Sequence, residues 1–412
     1  MRCEHGSTGL ALRAILLLML MPAPGIAAAG QVALKAEIGG DAQHTRYVAF
    51  LSRNVEYRIF SIADPYRIVI DLGEAEIQVP AGKRGLILSS RSGRLGVGQS
   101  RIVIDLTGPA LVEKAEVLPP ENGVPARLII DLVKTAHRAF VAQSKAPPPP
   151  QAAKPPQVAA RERSPVDKRP LIVIDPGHGG IDAGALGHGT GTPEKEVTLD
   201  FSMTLKKKLE ETGKYRVYAT RTEDVFVPLD ERAQEASRQM ANLLISIHAD
   251  ALDAKRVGEK GLLEVRGGTI YTLSEQASDE QAKLLALNEN RADLQAGFGT
   301  DQALPPAVTA ELNSILSDLE TRGKKNRSLA LANYLIDHMQ SKMKFNLRPQ
   351  RSANLRVLKA VGVPAVLIEL GYLSNPDDEK LLTSPEWRKT TAAALASAVD
   401  SFMSERQARL PL

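Results

Sequence analysis

The sequence predicts two folded regions of different class: an N-terminal all-β sandwich, and a C-terminal α/β domain with a largely parallel sheet and an inserted helical segment. Three observations carry this. A strand-like theme recurs in the first third as Arg67-Ile68-Val69-Ile70-Asp71-Leu72, Arg101-Ile102-Val103-Ile104-Asp105-Leu106 and Arg127-Leu128-Ile129-Ile130-Asp131-Leu132. A stretch rich in Pro, Ala, Gln and Lys then interrupts the chain between 141 and 168. Beyond it, short apolar runs alternate with helical periodicity, the pattern of a parallel sheet with crossover helices. The 412 residues suffice for about two cores, and 43% hydrophobic with 24% charged residues is globular composition. Aromatics are only 4%, so those cores must be aliphatic, which suits strands.

The first element is expected to be a signal peptide over 1–29. Arg2 and Arg13 precede the apolar run Ala14–Met21, and the small residues Ala27-Ala28-Ala29 follow. That run is too short for a stable membrane span, and no later stretch approaches the roughly 20 apolar residues a spanning helix needs. The sole cysteine, Cys3, lies in the same segment, so disulfide and thiol chemistry are excluded beyond it and any metal must be held by His and carboxylates. No Cys follows the small-residue cluster, which argues against a lipid anchor. The net charge of +4 suits either solubility or attraction to an anionic polymer such as cell wall or nucleic acid, and decides nothing alone.

The β region is placed over 30–140. Arg46-Tyr47-Val48-Ala49-Phe50-Leu51 is a looser copy of its repeat, and Gly, Pro and Asn punctuate the intervals as sandwich turns do. The recurring Asp reads as a strand-end polar group. No catalytic constellation occurs here, so the region is a binding or structural module. The spacer over 141–168, with Pro147–Pro150 and Pro155-Pro156, is expected to be extended and semi-rigid, leaving the two halves at variable distances.

The catalytic region is placed over 169–405, followed by a tail over 406–412. Its expected strands are Leu171–Ile174, Arg216–Thr220, Leu243–Ile247, Gly261–Val265 with Ile270–Thr272, and Ala365–Leu370. Its expected helices are Glu194–Glu211, Leu229–Arg238, Asp279–Asn290, Ala307–Lys344 in pieces, and Pro385–Glu405. The interval 274–344 is long for a connection and reads as a helical insertion.

Chemistry belongs at strand ends in such a domain. His178 follows the first strand in Asp175-Pro176-Gly177-His178-Gly179-Gly180, His248 ends Leu244-Ile245-Ser246-Ile247-His248, and Glu369 interrupts Val366-Leu367-Ile368-Glu369-Leu370. An ionised carboxylate in an aliphatic strand costs several kcal/mol (~3–5) unless something cationic sits beside it. That partner is either an arginine such as Arg356 or a metal. Two strand-end histidines favour Zn²⁺ held by two His and one carboxylate, with a fourth position open. Glu194 and Glu196 are both candidates for the third ligand. Thr192-Pro193-Glu194 also reads as an N-cap, Pro at the first helical position and an acidic first turn, which by itself explains a Glu there. His188 reads as a loop residue of Gly187-His188-Gly189-Thr190-Gly191, and His44, His137 and His338 as structural or exposed.

The blocks around His178, Glu194-Lys195-Glu196-Val197, Ser246-Ile247-His248-Ala249-Asp250 and Pro364–Asn375 together resemble the zinc N-acetylmuramoyl-L-alanine amidases of the amidase-3 type. The blocks fall in family order across nearly the whole C-terminal domain. The resemblance implies zinc ligands His178, Glu194 and His248, so it selects Glu194 over Glu196, and it implies Glu369 as the catalytic carboxylate. The repeat region, best at Pro65–Leu72, is similar to the AMIN module of Gram-negative cell-division amidases, which implies septal recruitment in the periplasm and peptidoglycan as partner. The pattern Glu289-Asn290-Arg291-Ala292-Asp293 is similar to relatives whose insertion is regulatory and carries an autoinhibitory helix released by a LytM-fold activator. Glu289 is then the expected blocking ligand on zinc. The expected enzyme is a monomer that binds no nucleic acid and splits the septal wall.

Overall fold

The computed structural model describes residues 33–51, 54–144, 167–252, 254–298 and 314–408. The expected signal peptide, most of the spacer, and part of the insertion and tail lie outside the described residues.

The repeats form a sandwich. Its strands are β1 (Ala33–Gly40), β2 (His44–Leu51), β3 (Tyr57–Ile62), β4 (Arg67–Gly73), β5 (Glu76–Gln78), β6 (Ile87–Gly96), β7 (Gln99–Leu106), β8 (Ala110–Leu118) and β9 (Ala126–Lys134), followed by helix α1 (His137–Gln143). One sheet runs β5-β1-β2-β9-β8 and the other β3-β4-β7-β6. Alternate residues such as Ile68, Ile70, Ile102, Ile104, Leu128 and Ile130 are fully buried between the sheets, as the two-residue strand period requires.

The repeat motif explains its own pairing. β4 and β7 run antiparallel with Val69 opposite Val103, which puts Arg67 opposite Asp105 and Asp71 opposite Arg101. Each guanidinium therefore meets the other copy's carboxylate, with Arg101 bidentate on Asp71 at 2.6 and 2.9 Å. In the other sheet Arg46 opposes Asp131 in the same way, at 2.6 and 2.8 Å. The recurring Asp is thus half of a cross-strand ion pair.

The second domain is built on strands β10 (Leu171–Pro176), β11 (Arg216–Ala219), β12 (Leu243–His248), β13 (Gly268–Leu273), β14 (Phe345–Ala353) and β15 (Ala365–Glu369), in the order β11-β10-β12-β15-β13-β14. All pairs are parallel except β13 with β15. Its helices are α2 (Glu194–Glu211), α3 (Leu229–Arg238), α4 (Ala254–Glu264), α5 (Glu280–Glu289), α6 (Ala292–Gln295), α7 (Ser314–Met339), α8 (Pro376–Leu382) and α9 (Pro385–Ala408). Val197, Phe201, Leu205 and Leu209 of α2 pack with α7 and α9 on one face, against Ile172, Ile174, Ile245 and Ile368. On the other face α3, α5 and the 355–358 turn cover Val173, Leu244 and Leu367. Coverage on both faces is why these strands read as continuous apolar runs.

Two expectations are corrected. Gly261–Val265 is no strand: Ala254–Glu264 is helical with a break at Gly258, where φ is 69°. Lys260, Leu262, Leu263 and Glu264 are strong helix formers, and only Val265 is β-branched. The two halves also do not stand apart at variable distances. The described residues of both domains belong to one compact unit, in which Val69 and Val103 of the sandwich pack with Ile181, Phe226, Ala296 and Phe298 of the second domain.

Candidate functional site

The site lies at the carboxyl ends of β10, β12 and β15. His248 is the last residue of β12 and sits in register with Glu369, the last residue of β15. His178 comes two residues after β10, at a φ of 57° that few non-glycine residues adopt. Two buried arginines hold that turn. Arg232 donates to the carbonyls of Pro176 (2.7 Å) and His178 (2.8 Å), and Arg221 to those of Pro176 (3.0 Å) and Gly177 (2.7 Å). Asp175, itself fully buried, balances Arg232 at 3.0 Å and accepts from Thr220 and Ser246. Burial and the neighbouring Arg232 bring Arg221 down to about 10.

The four groups named from the sequence converge. His178 Nε2 lies 3.1 Å from Glu194 Oε2, and His248 Nδ1 lies 3.2 Å from Glu194 Oε1. The ligand atoms of His178, Glu194 and His248 all fall within 4.8 Å of one another, in buried positions that can hold a metal ion. Glu194 and Glu196 part company here: Glu194 is buried and Glu196 exposed. The helix begins at Glu194 with extended Pro193 before it, so Pro193 occupies the cap and not the first helical position. Main-chain N–H groups of Ala185 and Ala249 donate to the two Glu194 oxygens at 2.9 and 2.8 Å and fix the carboxylate.

Asp182, which no sequence argument picked out, lies 2.8 Å from His178 Nδ1. This contact assigns the proton to Nδ1 and turns Nε2 toward the centre. Its signal was the four-residue spacing from His178 across a glycine-rich turn. Glu369 does not pair with Arg356, which instead binds Asp230 and Asp293 at 2.8 and 2.9 Å. Glu369 Oε2 accepts from the Asp250 N–H at 3.0 Å, while Oε1 is buried with no hydrogen-bond partner. Asp250, also missed, is buried beside it.

Glu289 closes the remaining side. It ends α5, is 5% exposed, and its Oε2 stands 3.1 Å from His248 Nδ1 and 3.7 Å from His178 Nε2. His188 is exposed and outside the cluster, and His137 meets the Tyr66 hydroxyl in the sandwich.

The electrostatics demand positive charge. Burial and the carboxylates of Glu194, Asp250 and Glu289 push Glu369 well up. Burial with Glu194 and Glu289 does the same to Asp250. Burial also raises Glu289, beside Glu194 and Asp182. Burial opposes charge on His178, but Asp182, Glu194 and Glu289 outweigh it and carry its pKa well above the imidazole range. His178 Nε2 and His248 Nδ1 face carboxylates without an aligned hydrogen bond. Two such nitrogens, with carboxylates crowded around one point, fit a divalent cation better than any protein donor.

Fold and site thus define an α/β enzyme with a buried His-Glu-His cluster, able to hold a metal ion, at the carboxyl edge of its sheet. Residues 172–401 match the N-acetylmuramoyl-L-alanine amidase family and residues 37–132 match the AMIN domain. The chain belongs to the N-acetylmuramoyl-L-alanine amidase family and is an amidase. It is 29% identical over 392 residues to the N-acetylmuramoyl-L-alanine amidase AmiC of Neisseria meningitidis serogroup B, covering 88% of this chain and 87% of that one. With AmiA of Escherichia coli K12 it shares 34% identity over 234 residues, 56% of this chain and 75% of that. A solved N-acetylmuramoyl-L-alanine amidase from Clostridium difficile 630 aligns at 21% identity and a TM-score of 0.41, over 58% of this chain and 98% of that one.

Proposed function

We propose that this amidase hydrolyses the bond between the lactyl group of N-acetylmuramic acid and L-alanine in peptidoglycan, using zinc held by His178 Nε2, His248 Nδ1 and Glu194. The observation that carries the reading is the convergence of those three groups beside a buried Glu369 whose Oε1 is free. Zinc in this position supplies a polarised scissile carbonyl and a water acidified toward neutral pH. Asp250 N–H pins Glu369 Oε2, which leaves Oε1 to take the water proton and return it to the departing alanine nitrogen. Asp182 keeps His178 in the ligating tautomer.

Glu289 is the resting block. A carboxylate aimed between both histidines is a good fourth ligand and excludes water and substrate. The remaining parts of the reading follow the family resemblance: export to the periplasm, recruitment to the division septum for daughter-cell separation, action as a monomer on peptidoglycan, and release by a LytM-fold activator. Among the described residues no helix is long and apolar enough to cross a membrane.

The test is digestion of purified sacculi by the full chain and by a variant lacking about 279–318, each with zinc or with a chelator. Mass analysis should find intact stem peptides beginning with L-alanine, release should stop on metal removal, and the deletion should be the more active. Fragments cut elsewhere in the stem would sink the assignment of the bond, and a folded, zinc-loaded deletion no faster than the parent would sink the block.

A further inference from the structure

The blocking segment does not hold itself. After Glu289, Asn290 bonds the main chain of Asn354 and Arg356 at 2.7 and 2.9 Å, and Asp293 accepts from the Leu229 N–H at 3.0 Å. The carbonyls that follow turn to the other domain. Arg67 of β4 donates to the carbonyl of Leu294, Arg91 of β6 to that of Gln295 at 2.7 Å, and Arg101 of β7 to that of Ala296 at 3.0 Å. Three neighbouring strands thus present three guanidinium groups to three successive carbonyls at the end of α6, of which that of Leu294 also accepts from the Gly297 N–H at 3.0 Å.

These arginines are also held from within the sheet. Asp71 grips Arg101, and Asp105 grips both Arg67 and Arg91. Arg101 also lies over the Phe298 ring, 4.6 Å from its centroid, and Phe298 stacks on Phe226 at 5.6 Å. Gly297 completes the fit: at φ +80° it brings the chain so close that a Cβ would sit 3.0 Å from Val103 and 3.1 Å from Val69.

We infer that the four-stranded sheet of the AMIN domain is the receptor surface for residues 294–298 of its own chain and is the latch that keeps Glu289 in the metal centre. The inference rests on the proposed blocking role of Glu289. It gives the AMIN domain a second task beside any wall binding: by reciprocal coupling, whatever draws this sheet face away from 294–298 frees the centre, and whatever opens the centre loosens the sheet.

The experiment uses the zinc-loaded full chain with Arg91→Ala on the sheet side and Phe298→Ala on the segment side. Neither change empties the sandwich core, and the melting transition of each variant reports folding. Amide hydrogen exchange over 289–298 and peptide release from sacculi are read together, with Glu289→Ala as reference. Losing the charge-assisted hydrogen bond of Arg91 opens such a contact about tenfold to a hundredfold, and losing the buried Phe298 ring does so by at least about tenfold, so both variants should exchange faster in this segment and gain basal activity, while Arg91→Lys should recover part of the protection. Unchanged exchange in both variants overturns the latch. Faster exchange in both, with neither they nor Glu289→Ala gaining activity, supports the latch and removes the blocking role of Glu289 instead.

Discussion

At the scale of single residues, two groups of the centre have one atom tied down and one left free. His178 is held through Nδ1 by Asp182, and Glu369 through Oε2 by Asp250 N–H. Glu369→Gln keeps the shape and the tied oxygen but cannot carry a proton. It should bind zinc as the parent does and lose about 10²- to 10⁴-fold in turnover, the range general acid–base catalysis supplies. His178→Ala should instead lose the metal. Zinc content by atomic emission beside sacculus digestion separates the two, and substantial activity in the Gln variant would exclude Glu369 as the base. The two histidines and Glu369, which the fold brings together, could be singled out in the sequence because each stands at or next to the end of an apolar strand. Glu194 was not legible by pattern, because at a helix start an acidic residue is expected anyway. Asp182 and Asp250 were invisible for a similar reason: a loop Asp beside glycines and one after a strand are ordinary turn residues until the tertiary fold aims them.

At the scale of elements, helix α2 was readable from its buried stripe, Val197, Phe201, Leu205 and Leu209, whereas α4, broken at Gly258, reads in its second half as a strand. β14 was not, since an edge strand containing Asn346, Arg348, Pro349 and Arg351 lacks the apolar run of a covered one. The short helix α8 was not legible either; its cap is Asn375, which accepts from the Asp377 and Asp378 N–H groups ahead of Pro376. Edge strand β6 makes the other half of the domain contact. Ile181 donates its N–H to the carbonyl of Arg94 at 3.2 Å and Phe226 does so at 3.4 Å, which brings Gly93 against the loop that carries His178. A Cβ on Gly93 would lie 2.5 Å from the Ile181 backbone, and backbone on both sides cannot yield as a side chain can. Gly93→Val should therefore cost about 1–3 kcal/mol of docking, as overpacking does. The Ile181 and Phe226 amides should then exchange faster with the sandwich still folded. Unaltered protection at both would show that β6 is not seated there.

At the scale of the whole molecule, the sandwich was legible because its repeat encodes its register, whereas the docking of the two domains was not. A Pro-rich spacer reads as a separator, and nothing in Arg67, Arg91 or Arg101 says that carbonyls 227, 204 and 195 positions away will complete them. The ion pairs behind that docking set its pH range. Burial opposes charge on Asp105, but Arg91 and Arg67 outweigh it and hold its carboxyl below the usual value of 3.8. A carboxylate with a depressed folded pKa contributes stability that is complete above its unfolded value and is lost as pH falls through the folded one. Asp105 therefore keeps Arg67 and Arg91 aimed at Leu294 and Gln295 throughout the neutral and mildly acidic range. The domain contact should persist unchanged from about pH 8 to pH 5 and loosen only below about 3.8, as Asp105 protonates. Small-angle scattering across that range, with exchange at 294–298 measured in parallel, checks it. Opening between pH 5 and 7 would mean that another group, such as Glu289 or Asp293 of the segment, both raised by burial, governs the contact, and that the Asp105 ion pairs do not.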